Sequence, residues 1–195
     1  MDTDRVGEAF AAVPREWFLP RSQRRRAAYD GPIDIGHGQT NSQPRTVEAM
    51  LRLLEVRPGD RVLDVGSGSG WTTGLLAHLT GTRGSVLGLE LVPQLVELGR
   101  RNLARGDWPW ARIEPARPHV LGDPDGAPYD RVLVSAGAQE LPVGLVGQLA
   151  PTGRLVIPVA GEMLLVEARA DDQPLVTRHG YYRFVPLRAP LDEGR

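Results

Sequence analysis

The residues best suited to chemistry form one run, Val62-Leu63-Asp64-Val65-Gly66-Ser67-Gly68-Ser69-Gly70, with Glu90 downstream of it. Three alternate glycines after a short apolar run put bare backbone at the carboxyl end of a strand, where a ligand can come close. A carboxylate at the end of the next strand can accept both hydroxyl hydrogens of a ribose. Two cofactor classes fit this layout. A dinucleotide site favours G-x-G-x-x-G, whose third glycine packs helix against strand. Trp71 stands at that position and is too bulky for it, so the run reads G-x-G-x-G. A methyl donor carries a sulfonium and a carboxylate but no pyrophosphate, and needs no phosphate cradle. Asp64, just ahead of the loop, suits a cationic ligand better than an anionic one. The methyl donor is the better fit, and nicotinamide binding stays open. A glycine turn without a ligand is the remaining reading, although clustered glycines weaken a strand-to-helix joint unless something must approach it.

The elements that must position this loop follow from the apolar pattern. Residues 1–44 are irregular and rich in Pro, Gly and Arg, with helices expected near Arg5–Ala12 and Ser22–Ala28. Gly36–Pro44 is polar, contains glycine, ends in proline and reads as a loop. Arg45–Leu54 places Val47, Met50, Leu51 and Leu54 at helical spacing. Short apolar runs then alternate with helical segments. Strands are expected at Arg61–Val65, Ser85–Leu89, around Ile113, and at Arg131–Ser135 and Arg154–Pro158. Helices are expected at Trp71–Leu79, Pro93–Ala104 and Val143–Leu149. Such alternation predicts a parallel sheet with helices on both faces. Met163–Ala168 and Tyr181–Val185, with a turn at Asp171–Pro174, are expected to close the sheet as an antiparallel hairpin.

Composition limits the partners. The 195 residues are 41% hydrophobic and 24% charged, which suits one globular domain with a sizeable core. There is no cysteine, which excludes disulfides, thiolate metal sites and a cysteine nucleophile. His37, His78, His119 and His179 are scattered, so no metal site is expected. A formal charge of −1 gives no broad pull toward nucleic acid or anionic membrane. Arg21 and Arg24, Arg25 and Arg26 read as a solvated face rather than a phosphate contact. Asp2, Asp4 and Glu8 open the chain without an apolar stretch, so neither a signal peptide nor a spanning segment is expected. A cytoplasmic monomer is the expectation.

The chain resembles protein-L-isoaspartate O-methyltransferases. The resemblance runs through Val13-Pro14-Arg15-Glu16-Trp17-Phe18-Leu19-Pro20, Ala28-Tyr29-Asp30 and Ile35-Gly36-His37-Gly38-Gln39-Thr40-Asn41-Ser42-Gln43-Pro44. It continues in Arg57–Leu63, the glycine loop, Ala127–Asp130, Gly153–Val159 and Arg183–Leu187. Gly38–Pro44 is its most specific part, because many methyltransferases share the glycine loop. The resemblance implies a Rossmann-like class I methyltransferase fold, a mostly parallel seven-stranded sheet with altered strand order at its C-terminal end. It implies S-adenosylmethionine as cofactor and methylation of isoaspartyl carboxylates in peptides or proteins. The ester would then close to a succinimide, whose hydrolysis returns some normal aspartate. It also implies one domain over 1–195, with 1–55 on the substrate side and 56–195 as cofactor-binding core.

By the same resemblance, Ser42 and Thr40 are the catalytic candidates, their hydroxyls orienting a carboxylate that is already ionised. Ser42 also fits helix capping ahead of Arg45. Asp64, Gly66, Ser67, Gly68, Gly70, Glu90 and Leu91 are the cofactor candidates. Gln39, Asn41, Gln43, Ala136 and Gly137 are the substrate candidates. Two departures stand out. Asn41 replaces a usually apolar residue. Pro115-Ala116-Arg117-Pro118-His119 replaces a Gly-Asp-Gly whose aspartate contacts adenine, and Asp123, close in sequence, would need a shortened loop to take over. These departures keep two alternatives open: a tailoring enzyme that esterifies an aspartate of one ribosomally made peptide, and a degenerate module that binds peptide without catalysis.

Overall fold

Asp4 opens the described chain by capping helix α1 (Arg5–Ala12), accepting from the Gly7 N–H. The computed structural model describes residues 4–117, 119–170 and 172–188, so Asp2, Pro118 and Asp171 lie outside the described residues. Two 3₁₀ turns follow, Arg15–Phe18 and Arg21–Arg26. The second replaces the helix expected over Ser22–Ala28. It buries no residue, and a short segment without a buried face gains too little to hold a full helix.

Strands β1 (Ile33–Gly36) and β2 (Gln39–Asn41) pair antiparallel, with Ile33 opposite Asn41 and Asp34 opposite Thr40. Gly36–Pro44 is therefore largely a hairpin, not the loop expected. Gly36, His37 and Gly38 take φ of 91°, 58° and 69°, a left-handed reversal that the two glycines accommodate. Helix α2 (Pro44–Leu54) then turns Val47, Met50, Leu51 and Leu54 inward, as the spacing predicts.

The main body alternates β3 (Arg61–Val65), α3 (Trp71–Thr80), β4 (Ser85–Glu90), α4 (Pro93–Leu103), β5 (Ala111–Pro115), β6 (Tyr129–Val134), α5 (Val143–Val146) and β7 (Leu149–Val159). Strands β8 (Glu162–Arg169) and β9 (Asp172–Tyr181) complete a seven-stranded sheet of order β5-β4-β3-β6-β7-β8-β9. The first five in that order are parallel, and β7, β8 and β9 pair antiparallel. Along β3 successive side chains serve opposite faces. Val62 packs into the cluster with α1, α2 and α3, while Leu63 and Val65 join Val132, Val134 and Leu145 on the other side. Helix α3 is buried from Trp71 to Ala77, held between the sheet and α1. The second face carries the short α5. The helix expected over Val143–Leu149 stops at Val146, where Gly147 interrupts it and Leu149 already begins β7.

The C-terminal end differs most from expectation. The strand after the turn is β9, Asp172–Tyr181, rather than Tyr181–Val185. Pro174 lies within it, which an outermost strand allows because one side needs no ladder bond. Beyond Tyr181 the chain leaves the sheet and crosses the carboxyl ends of the central strands. Gly137 N–H donates to Val185 O and Leu187 N–H to Gly137 O, both at 2.8 Å. The order reverses at β3, which has β4 on one side and β6 on the other. This is the switch point at which open α/β sheets bind ligands.

Candidate active site

The glycine loop is held from below and left bare above. Gly66 and Ser67 N–H groups donate to Leu89 O at 2.8 and 3.0 Å. Gly68 N–H donates to Glu90 Oε2 at 2.9 Å, and Val92 N–H to Oε1 at 2.9 Å. The Glu90 carboxylate is thus pinned by backbone, each oxygen keeping further acceptor capacity, and Glu90 lines the crevice. That crevice is lined by Val65, Gly66, Gly68, Leu89, Glu90 and Leu91, among others. Gly70 does not line it. A Cβ there would lie 2.9 Å from Ile113 Cδ1 and 3.2 Å from Gly99 O, so this glycine lets α3 start hard against α4. Asn102 Nδ2 donates to Ser69 O at 3.1 Å and ties the loop to α4.

Asp64 lies beneath the loop rather than in the crevice wall. Thr72 and Thr73 hydroxyls both donate to its Oδ2 at 2.7 Å, joining the strand to the first turn of α3. Its Oδ1 is enclosed without a hydrogen-bond partner among the described residues. Burial pushes its pKa up to about 6, against the lowering effect of the two threonines, with the Glu90 charge adding to the rise.

On the other wall, one buried arginine organises the hairpin. Arg15 donates to Asn41 Oδ1 at 2.7 Å, Tyr29 O at 2.7 Å, and the Gly31 and Ser42 carbonyls at 2.8 Å each. Burial draws its pKa down to about 10, so it remains charged at neutral pH. Asn41 completes the bracket by donating to Ser69 Oγ at 3.2 Å. Its side chain is therefore spent between Arg15 and the glycine loop and does not line the outer cleft. This also explains a polar residue at that position: an apolar side chain would leave Arg15 Nε without its acceptor. Ser42 does not cap α2. The capping position is Gln43, without a side-chain cap bond, followed by Pro44, whose missing N–H needs none. The Ser42 hydroxyl is left for the cleft.

The cleft beside the hairpin has a volume of about 600 Å³. It is lined by Thr40, Ser42, Gln43 and Arg45 from the hairpin and the start of α2, by Tyr181–Val185, and by Ser135. The carboxyl end of β6 contributes differently from expectation. Ala136 lines the crevice, whereas the backbone of Gly137 is engaged in holding the crossing segment through Val185 and Leu187. Gln39 lines the crevice and Gln43 the cleft. Ser67 is buried and faces a cavity of about 30 Å³ between the two. Ser135 and Tyr181–Val185 escape a sequence reading. One is a lone serine after a strand, and the other reads as a strand, although the β9 ladder ends at Tyr181 and the chain next pairs only at the Gly137–Pro186 bridge. Among the described residues no cluster of His, Cys, Asp and Glu could hold a metal ion. No helix there is long and apolar enough to cross a membrane.

Residues 1–191 match the family model described as Protein-L-isoaspartate(D-aspartate) O-methyltransferase (PCMT). The chain belongs to the protein-L-isoaspartate O-methyltransferase family. A relative of that name from Methanopyrus kandleri is 42% identical over 189 residues, covering 95% of this chain and 84% of the relative. Another, from Methanothrix thermoacetophila, is 42% identical over 192 residues, covering 95% and 88%. Among solved structures, a Plasmodium falciparum chain of this family in complex with S-adenosyl-L-homocysteine superposes with a TM-score of 0.84. It is 29% identical, with 97% of this chain and 92% of that one covered. The fold is thus that of a Rossmann-like, S-adenosylmethionine-dependent methyltransferase.

Against the protein-L-isoaspartate O-methyltransferase pattern, the departure at the base end of the crevice has a clear structure. Ala116, Val120, Leu121 and Gly122 line it, so apolar side chains and backbone meet the place of the usual acid. Asp123 is not among the residues that line it. Tyr129 Oη donates to its Oδ2 at 2.6 Å, Arg117 to its Oδ1 at 3.3 Å, and its N–H is held by Gln148 Oε1. Its carboxylate braces the loop onto β6 instead.

Proposed function

We propose that this chain transfers the methyl group of S-adenosylmethionine to the carboxylate of isoaspartyl residues in peptides or proteins. One observation carries the reading: the crevice beside Gly66, Gly68 and Glu90 opens into the cleft bearing Ser42, the two sharing Thr40, Ser135 and Val185. The donor pocket fits its ligand. Positive φ at Gly66 (79°) and Gly68 (54°) leaves one wall without side chains, and Glu90 offers free lone pairs for ribose hydroxyls. Leu91 flanks that end. When bound, the cofactor supplies an electrophilic methyl on a sulfonium.

This chain's own residues then have a modest task. A carboxylate of reference pKa ~4 is ionised at neutral pH, so no general base is required. Thr40 and Ser42 hydroxyls donate to it and set its direction. Ala136 and the crossing segment keep water from the contact. Holding nucleophile and methyl in line can supply ~7–11 kcal/mol in favourable cases. The ester closes to a succinimide without help from the protein. Residues 1–55 act on the substrate side and 56–195 hold the cofactor within one domain, although Tyr181–Val185 also borders the cleft. The reading extends to a cytoplasmic monomer with a peptide or protein partner, neither nucleic acid nor membrane, in keeping with the near-zero charge.

The test supplies labelled methyl donor with an isoaspartyl peptide and its normal aspartyl counterpart. Label on the isoaspartyl form alone is the expected result. Label on neither, with calorimetric binding of S-adenosylhomocysteine intact, would replace general repair by one dedicated peptide. Loss of that binding as well would point to the non-catalytic module.

A further inference from the structure

Ser135 follows the last residue of β6 and is pinned there. Its N–H donates to Val65 O at 2.9 Å, and a Cβ on Gly66 would lie 3.8 Å from its carbonyl carbon. Its Oγ is enclosed and makes no hydrogen bond among the described residues. Ser135 and Thr40 both line the crevice, the cleft and the small cavity between them. An enclosed hydroxyl without a partner costs ~1–3 kcal/mol, so its persistence calls for a reason. Ser67 Oγ is also unpartnered, but it faces only the small cavity, whose volume of about 30 Å³ is enough for a water molecule. Ser135 lines that cavity too, but it alone of the two also borders the crevice and the cleft.

We propose that Ser135 positions the substrate: its hydroxyl, enclosed in the free chain, turns about the Cα–Cβ bond to donate to the acceptor carboxylate from the sheet side, while Thr40 and Ser42 hold it from the hairpin side. This rests on the carboxyl-transfer reading above. Methyl transfer forms one C–O bond from a carboxylate lone pair and breaks one C–S bond, with the bonding pair left on sulfur. No proton moves, so three hydroxyls can orient the group without any acting as base. A hydroxyl with no partner among the described residues can bond to substrate without breaking a bond within the protein, so its favourable contribution appears in binding and alignment rather than in folding.

That asymmetry gives the test. Ser135→Ala and Ser135→Thr are compared with wild type by steady-state methylation of an isoaspartyl peptide, calorimetry with S-adenosylhomocysteine, and thermal melting. Ser135→Ala is expected to lower kcat/KM about tenfold or more, the scale of a hydrogen bond to a charged group. Its affinity for S-adenosylhomocysteine should stay within about twofold, and its Tm should equal or exceed wild type, since the orphan hydroxyl is gone. Ser135→Thr should recover most of the activity. Unchanged kcat/KM in Ser135→Ala would overturn the proposal. So would an equal loss of S-adenosylhomocysteine affinity, or a lower Tm with activity that Ser135→Thr fails to restore. A wild-type chain that labels no isoaspartyl peptide sinks the underlying reading, and this proposal with it. An active wild type matched by Ser135→Ala sinks the proposal alone.

Discussion

The crevice and the cleft meet at Thr40 and Ser135 but are built in opposite ways. The crevice is made mainly from the ends of neighbouring strands. Its glycine loop is fastened by backbone bonds to Leu89 and Glu90, and by Asp64 through Thr72 and Thr73. The cleft is gathered from the hairpin, the end of β6 and the segment beyond β9. Its hairpin wall is tied by one guanidinium, Arg15, together with the Asn41–Ser69 bond and the packing of Ile33 and Ile35 on Leu19 and Leu95. The crevice is thus set by the sheet, whose ladder bonds are many. The cleft depends on fewer polar contacts, and changes there should be felt as stability as well as activity.

The sharpest way to break this contrast is at the loop. Gly68→Val places a branched side chain at φ 54° against Ile35 Cδ1, at the crevice wall. Binding of S-adenosylhomocysteine by calorimetry should weaken at least about a hundredfold. Unchanged binding would move the donor site elsewhere. On the cleft side, Arg15→Met leaves the Tyr29, Gly31, Asn41 and Ser42 carbonyls without their donor. Denaturant unfolding should show a loss of roughly 4 kcal/mol or more. A loss below about 1 kcal/mol would show that the hairpin is held otherwise.

A smaller effect should come from Asp64→Asn. The carboxyl pKa is raised from 3.8 to about 6 by burial, so the folded state prefers the protonated form. Its contribution to stability is full below about pH 4 and is lost as pH rises through about 6, by at most about 3 kcal/mol. Asparagine removes this titration, and its oxygen can still accept from both threonines. The unfolding free energy of Asp64→Asn should therefore vary less between pH 4 and 7 than that of wild type. An identical pH profile would refute the assignment. The smallest change is expected for Asp123→Asn. Because Asp123 is turned toward Tyr129 and Arg117, S-adenosylhomocysteine affinity should shift by less than about threefold. A tenfold loss would mean that this carboxylate reaches the base after all.

By itself the sequence determined the parallel strands of the sheet and the glycine turn at its switch point, while the resemblance supplied Thr40 and Ser42 as candidates. Apolar runs of strand length between helical repeats specify β3, α3, β4 and α4, and G-x-G-x-G followed by Glu90 specifies the crevice, because these signals are local in the chain. Only the tertiary structure decided which polar groups face the ligand. Asp64, Gly70, Asn41 and Asp123 all sit at suggestive positions, yet each is occupied by neighbours contributed from elsewhere. Tyr181–Val185 reads as strand but forms a wall, since Gly137 draws the chain across the sheet end. Ser135 carries no motif at all. What singles it out is an enclosed oxygen without a partner, a property of three segments packed together that no spacing along the chain encodes.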